Sequence, residues 1–119
     1  MKLGKLMIFV TDLVVARQFY CDILGFQLKS EDERSLEFQH KDCNLIAFKC
    51  RQNGSIDNYS EVARSVFVFE VASIDEALTD LRAKGVRFLH PEPAVNKFGR
   101  YAAFSDPFGN VHEIFERGR

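Results

Sequence analysis

The chain has 119 residues, of which 46% are hydrophobic and 28% are charged. A chain of this length buries roughly 65% of its unfolded surface, so we expect a single domain, residues 1–119, with a real core. Its formal net charge of -1 argues against nucleic acid or an anionic membrane as a partner. The longest early apolar run, residues 6–10, is too short for a signal peptide or a membrane span.

Strand and helix signals begin near the start of the sequence. Residues 3–10 are mostly apolar, which predicts a buried strand. Asp12 can accept hydrogen bonds from the first turn of a helix that runs to about residue 24, where Gly25 ends it. Three strands are then predicted near residues 26–29, 35–40 and 44–50. The last two are joined by a hairpin turn at residues 41–42.

The pattern then starts again. Residues 51–63 are polar and without a period, which predicts a linker. A strand over 64–71 precedes a capping box, Ser73 with Glu76, and a helix that ends before Gly85. Further strands are predicted near residues 86–90, 100–105 and 110–116, with a loop over 92–99.

The two halves align with each other. Asp12 and Ser73 are 61 residues apart, and Gly25 and Gly85 are 60 apart. Phe38 and Phe104, like Asn44 and Asn110, are 66 apart. The chain is therefore predicted to contain two βαβββ modules, residues 1–50 and 64–119, which pack together around one core.

Three cysteines, Cys21, Cys43 and Cys50, are an odd number without metal-type spacing. This usage favours reduced thiols and a cytoplasmic location.

Two runs carry a family resemblance: DLVVARQFYCDILGFQL at residues 12–28 and FGRYAAFSDPFGNVHEIFE at residues 98–116. They resemble the vicinal oxygen chelate superfamily, which includes glyoxalase I, extradiol dioxygenases, fosfomycin-resistance transferases and bleomycin-resistance proteins. The resemblance implies an α+β fold in which two βαβββ modules form a curved mixed sheet around a central cavity. It also implies a homodimer. The mostly apolar residues expected to line the cavity suit a small-molecule ligand.

In the metal-using members, four ligands line the cavity, one from the first and one from the last strand of each module. The resemblance carries these stations onto Lys5, Ala47, Val66 and Glu113. A divalent metal needs imidazole or carboxylate donors, usually three or more, and Glu113 alone supplies one. No metal or other cofactor is therefore predicted.

Glu113 needs compensation if it is buried, because an unpaired ion is costly outside water. The ammonium of Lys5 could take the place of a metal's positive charge. Alternatively, Lys5 reaches solvent while Glu113 meets water or a backbone amide.

Alternation along the strands predicts which side chains face the cavity. The predicted cavity and ligand-binding residues are Lys5, Met7, Phe9, Ala47, Val66, Val68, Arg100 and Glu113. The opposite faces are predicted to pack under the helices and carry Ile8, Val10, Ile46, Phe48, Phe67, Phe69 and Ile114. His112 neighbours Glu113 and should point away from it. These side chains could instead fill the space or cover a dimer interface, and Arg100 could pair with a surface carboxylate.

Three function classes fit these residues. The first, which we favour, is metal-independent binding of a small organic molecule, similar to the bleomycin-resistance branch. The second is a metal-dependent lyase, isomerase, transferase or dioxygenase, whose ligands are mostly missing here. The third is a metal-independent enzyme with Glu113 as its catalytic base and Lys5 as its electrostatic partner.

Overall fold

A computed structural model of the protein describes residues 5–41, 43–50 and 66–118. The chain divides into two compact units, Met1–Gly54 and Ser55–Arg119. The predicted linker at 51–63 lies outside the described residues, and so does the start of the strand predicted at 64–71.

The described residues of the first unit form four strands and one helix. Strand β1 (Leu6–Val10) leads into helix α1 (Leu13–Arg17), which continues as a π-helical segment (Gln18–Ile23). Strands β2 (Gln27–Glu31), β3 (Ser35–His40) and β4 (Cys43–Lys49) follow. The sheet order is β1-β4-β3-β2, with β1 parallel to β4 and the other pairs antiparallel.

The π-helical segment explains why the repeat offset changes within the helices. The Val15 amide donates to Asp12 Oδ1 at 3.0 Å, so the helix begins where the cap was predicted. Gly25 and Gly85 both adopt left-handed backbone, with φ of 83° and 87°, and end the two helices alike. The first helix has one residue more than the second between cap and glycine, and a wider π turn accommodates that residue.

The core of the first unit lies between the helix and one face of the sheet. Tyr20 is fully buried, with its ring centroid 5.6 Å from that of Phe38 and 5.1 Å from that of Phe19. The sheet contributes the buried side chains Ile8, Val10, Leu36, Phe38, Leu45 and Ala47. The helix contributes Ala16, Phe19 and Tyr20, which follow helical spacing and are all buried.

The second unit repeats this plan with one addition. Its elements are β5 (Phe67–Glu70), α2 (Ile74–Ala83), β6 (Arg87–Phe88), β7 (Ala94–Asn96), β8 (Gly99–Ser105) and β9 (Val111–Arg117). The sheet order is β5-β9-β8-β6, with β5 parallel to β9 and β7 paired to β8.

Strand β7 corrects the prediction of a continuous loop over 92–99. The Asn96 side chain accepts hydrogen bonds from the amides of Phe98 and Gly99, at 2.8 and 3.1 Å, and so closes a tight turn. That turn brings Ala94 opposite Tyr101 in an antiparallel ladder. The segment is too short to show a period-two pattern, so the sequence alone did not reveal the strand.

The D-P-x-G-N motif builds the connection between β8 and β9. Asp106 is buried, and its Oδ1 accepts from the amides of Phe108 and Asn110 at 2.9 and 2.8 Å. Its Oδ2 accepts from the Asn110 side chain at 2.7 Å. The motif therefore fixes the loop that leads into the strand of Glu113.

The α+β prediction of two βαβββ-like modules is confirmed, with each unit forming its own mixed sheet. Among the described residues, no helix has the length and apolar character needed to cross a membrane.

Candidate functional site

In the first unit, the sheet face opposite the helix carries Met7 and Phe9. Residues paired across neighbouring strands point the same way, and Met7 pairs with Ile46 while Phe9 pairs with Phe48. Met7 and Phe9 are 52% and 57% exposed, and the Phe9 and Phe48 ring centroids lie 6.4 Å apart, edge to face. We call this surface, with Ile46, the open face of the first unit.

The predicted placement of Ala47 on this face is wrong. Ala47 pairs with Ile8, and both are buried under the helix. Ile46 and Phe48, predicted to lie under the helix, face the other way. The predicted station is one residue away from the observed one, and a shift of one residue moves every side chain of a strand to the opposite face of the sheet.

The hairpin lengths explain the error. Phe38 pairs with Leu45 in the first unit, and Phe104 pairs with His112 in the second. The residue equivalent to His112 is therefore Leu45, 67 positions earlier, and the equivalent of Glu113 is Ile46. The 66-residue offset holds for β3 and β8 but not beyond the turn, because the second hairpin is one residue longer. Neither Ile46 nor Ala47 offers a metal donor.

In the second unit, Val68 and Glu113 share the face opposite the helix. They pair directly across β5 and β9, and Val68 is 54% exposed. Phe115 and Tyr101 are paired on the same face, as are Glu113 and Ala103. Val66 is half-buried and lies immediately before β5. Val68, Glu113, Phe115 and Tyr101 form the open face of the second unit.

Glu113 is half-buried, and its side chain has no hydrogen bond or ion pair with any residue that the structure describes. Burial raises the pKa of its carboxyl group, because desolvation disfavours the charged form. A carboxyl group with a raised pKa and free oxygen atoms can accept a proton from a ligand, or can receive a ligand's positive charge.

The open face of the first unit also carries a carboxylate, Glu37, which the sequence did not single out. Glu37 pairs with Ile46 across β3 and β4, and its side chain is 17% exposed. Its Oε2 lies 3.3 Å from Lys5 Nζ and 3.9 Å from Lys29 Nζ, while Ser30 Oγ donates to Oε1 at 3.3 Å. Lys5 thus has a carboxylate partner within its own unit, and its pairing with Glu113 stays a prediction.

A β-bulge brings two side chains of β2 to Glu37. Leu28 pairs with Phe38 and Ser30 with Glu37, so the register shifts at Lys29. In a regular strand Lys29 and Ser30 would point to opposite faces, whereas the bulge lets both reach the same carboxylate. The cluster therefore depends on a local irregularity of β2, which the period-two alternation of the sequence cannot predict.

Arg100 lies on the helix side of its sheet. It pairs with Glu116 across β8 and β9, and its guanidinium donates to both oxygens of Asp75 at 3.0 Å. These bonds lower the pKa of Asp75. Together with the hydrogen bond from the Ile74 amide to Glu116 Oε1, at 2.9 Å, they fasten the start of α2 to the sheet. The structure does not bring Arg100 to the open face, and the surface ion pair is the observed alternative.

His112 points away from Glu113, as alternation predicted. It is 1% exposed, and its ring lies 5.2 Å from that of Phe67, 5.7 Å from Phe69 and 5.5 Å from Phe104, between centroids. Burial lowers its pKa to about 4, so the ring is neutral at pH 7. His112 is a core residue of the second unit.

An open recess of about 370 Å³ lies at the end of β1 and β4 in the first unit, lined by Thr11, Glu33, Arg34, Lys49 and Cys50. Arg34 donates to the Lys49 carbonyl at 3.3 Å and lies over the Phe48 ring. None of the predicted site residues lines it. Its charged walls do not match an apolar binding surface.

The donor chemistry does not fit a divalent metal. Glu113 is the single predicted station with an oxygen donor, and Ile46, which replaces Ala47 as the last-strand station of the first unit, has none. Throughout the described ranges, no group of three or more His, Cys, Asp and Glu side chains could hold a metal ion.

Two βαβββ-like modules, each with a sheet face that its helix leaves uncovered, define the glyoxalase-like class of α+β proteins. The chain belongs to the Glyoxalase/Bleomycin resistance protein/Dioxygenase superfamily, whose family model matches residues 2–114. The uncharacterized protein YaeR of Escherichia coli (strain K12) is 30% identical over 121 residues, covering 92% of this chain and 92% of that protein.

Solved structures share the fold at lower identity. The fosfomycin resistance protein FosX of Listeria monocytogenes is 18% identical with a TM-score of 0.81, covering 99% of this chain and 94% of that one. TnmS3, an antibiotic binding protein from Streptomyces sp. CB03234, is 23% identical with a TM-score of 0.72, covering 99% of both chains.

Proposed function

We propose that this protein binds a small organic molecule without a metal ion, and that its binding surfaces are the two open faces. The observation that carries the proposal is the exposure of large apolar side chains beside a carboxylate on a sheet face. Met7, Phe9 and Val68 are each more than half exposed there. Apolar walls with a few polar groups are typical of small-molecule sites.

Two further observations support metal-independent binding over metal-dependent catalysis. The stations that hold a metal in other members carry mainly aliphatic or cationic side chains here. TnmS3, which shares the fold, is described as an antibiotic binding protein. The expected homodimer and cytoplasmic location belong to this proposal, and light scattering of the purified protein tests the first of them.

A second candidate is a metal-independent enzyme with Glu113 as its base. The raised pKa of Glu113 and its lack of partners in the described part of the chain favour this role. Turnover that survives chelation and is lost in Glu113→Gln would establish it. Binding that is unchanged in Glu113→Gln, without any turnover, would support the simple binding protein.

A thermal-shift screen of metabolites and antibiotics, run on chelator-treated protein, tests the proposal. A compound that binds the folded state raises the midpoint of unfolding. The same compounds are then tested on Phe9→Ser and on the control Phe98→Ser, since these rings are 57% and 62% exposed but Phe98 lies in the turn between β7 and β8. We expect the shift to fall in Phe9→Ser and to persist in Phe98→Ser. Equal shifts in both variants, or shifts that require added metal, would contradict the proposal.

A further inference from the structure

The Glu37 cluster has spare hydrogen-bond donors, and its buried acceptor atom, Glu37 Oε2, makes ion pairs but accepts no hydrogen bond. Ser30 occupies one oxygen of Glu37, and two ammonium groups approach the other. Each ammonium has three N–H donors, and the Lys5 and Lys29 side chains remain 52% and 49% exposed. Two positive charges against one negative charge leave a net charge of about +1 at this point.

The cluster lies in line with the apolar part of the same open face. One row across the sheet runs from Met7 through Ile46 and Glu37 to Ser30, each paired with the next. Neighbouring strands are about 4.8 Å apart, so Met7 and Glu37 are separated by about 10 Å. That separation suits a two-ring aromatic molecule with a charged group at one end.

We infer that the open face of the first unit recognises organic anions: an aromatic or aliphatic body rests on Met7, Phe9 and Phe48, and a carboxylate, sulfonate or phosphonate group meets Lys5 and Lys29. The inference rests on the proposed function and adds the charge of the ligand. Glu37 is a positioning residue, because it holds the two ammonium groups at one point. A cationic ligand is disfavoured, since the two ammonium groups repel it and Glu37 Oε2 is buried.

Two fluorescent probes test this inference because they share one aromatic skeleton and differ in charge. Anilinonaphthalene sulfonate is an anion, and phenylnaphthylamine lacks the sulfonate. Each is titrated into wild type, Lys5→Met, Lys29→Met and the control Lys84→Met. Lys84 is also ion-paired, 3.2 Å from Asp80, and is 45% exposed, but it lies just after helix α2.

We expect Lys5→Met and Lys29→Met each to weaken binding of the anionic probe about threefold to tenfold, because each removes one half-exposed charge. Binding of the neutral probe should change less than twofold, and Lys84→Met should alter neither. Added salt should weaken binding of the anionic probe and leave binding of the neutral probe unchanged. Equal effects on both probes, or an effect of Lys84→Met as large as that of Lys29→Met, would overturn the inference and leave the proposed function intact. Failure of both probes to bind would overturn both.

Discussion

The two units place a carboxylate on the same face of the same kind of sheet, but the surroundings of the two carboxylates differ. Glu37 on β3 has two lysines and a serine within reach. Glu113 on β9 has no polar partner among residues 5–41, 43–50 and 66–118, and burial raises its pKa. The two acids do not occupy equivalent positions of the repeat, because Glu37 corresponds to Ala103 and Glu113 corresponds to Ile46. One face therefore carries excess positive charge, and the other carries an acid without a side-chain partner among the described residues.

The cores of the two units also differ at one pair of equivalent positions. Leu45 is 1% exposed in the first unit, and its equivalent in the second is His112, also 1% exposed. Burial disfavours the charged form of an imidazole, so this side chain opposes folding when it must be protonated. The second unit is therefore expected to be the acid-sensitive one.

The largest expected effect concerns that histidine. The pKa of His112 is lowered from 6.5 to about 4, so the unfolded chain binds its proton at a higher pH than the folded chain does. Stability contributed by neutral His112 is present above pH 6.5 and is lost as the pH falls toward 4, by about 3 kcal/mol. In His112→Leu, this part of the loss should disappear. Urea unfolding of wild type and His112→Leu at several pH values measures this loss. The difference between their free energies of unfolding above pH 7 serves as the baseline. If the free energies of unfolding of the two proteins changed in parallel from pH 7 to 4, burial would not shift the pKa of His112.

A smaller effect is expected at Glu37. Glu37→Gln removes a charge that two ammonium groups share and leaves those groups to repel each other. We expect the free energy of unfolding to fall by about 1 kcal/mol at pH 7, because half-exposed ion pairs are individually weak. High salt should reduce the loss. Denaturant unfolding at low and high salt checks both statements, and an unchanged midpoint at low salt would mean that the ion pairs contribute nothing.

The smallest effect, with the opposite sign, is expected at Glu113. Because burial raises its pKa, the folded state favours the protonated form, and stability is lost as the pH rises through that pKa. Glu113→Gln should therefore stabilise the protein by about 0.5 kcal/mol at pH 7. The gain should vanish below the usual glutamate pKa of about 4.3. Destabilisation by Glu113→Gln at pH 7 would indicate that the carboxylate is compensated, as a pair with Lys5 would require.

Much of the fold could be predicted from the sequence because its signals are local. Asp12 and Ser73 cap helices, Gly25 and Gly85 end them, and period-two alternation correctly separates His112 from Glu113. The residues that were missed depend on insertions and long-range register. Ala47 was misplaced because one hairpin is a residue longer than the other.

The Glu37 cluster is the part of the candidate site that the sequence did not reveal. A bulge lets Ser30 and Lys29 reach Glu37, and Lys5 reaches Glu37 from the position just before β1. No spacing rule connects residues from three places in the chain. Family stations pointed to the first and last strands of each module and so to Lys5, whereas Glu37, Lys29 and Ser30 lie on the strands between them.

The central claim is that the open faces bind an organic molecule without a metal ion, and one titration tests it most directly. Phenylnaphthylamine fluorescence is measured with protein as purified, after chelation, and after adding back Mn²⁺ or Zn²⁺. The account predicts one Kd in all three states, weakened in Phe9→Ser and unchanged in Phe98→Ser. Binding that is lost on chelation and restored by a stoichiometric metal ion would contradict it.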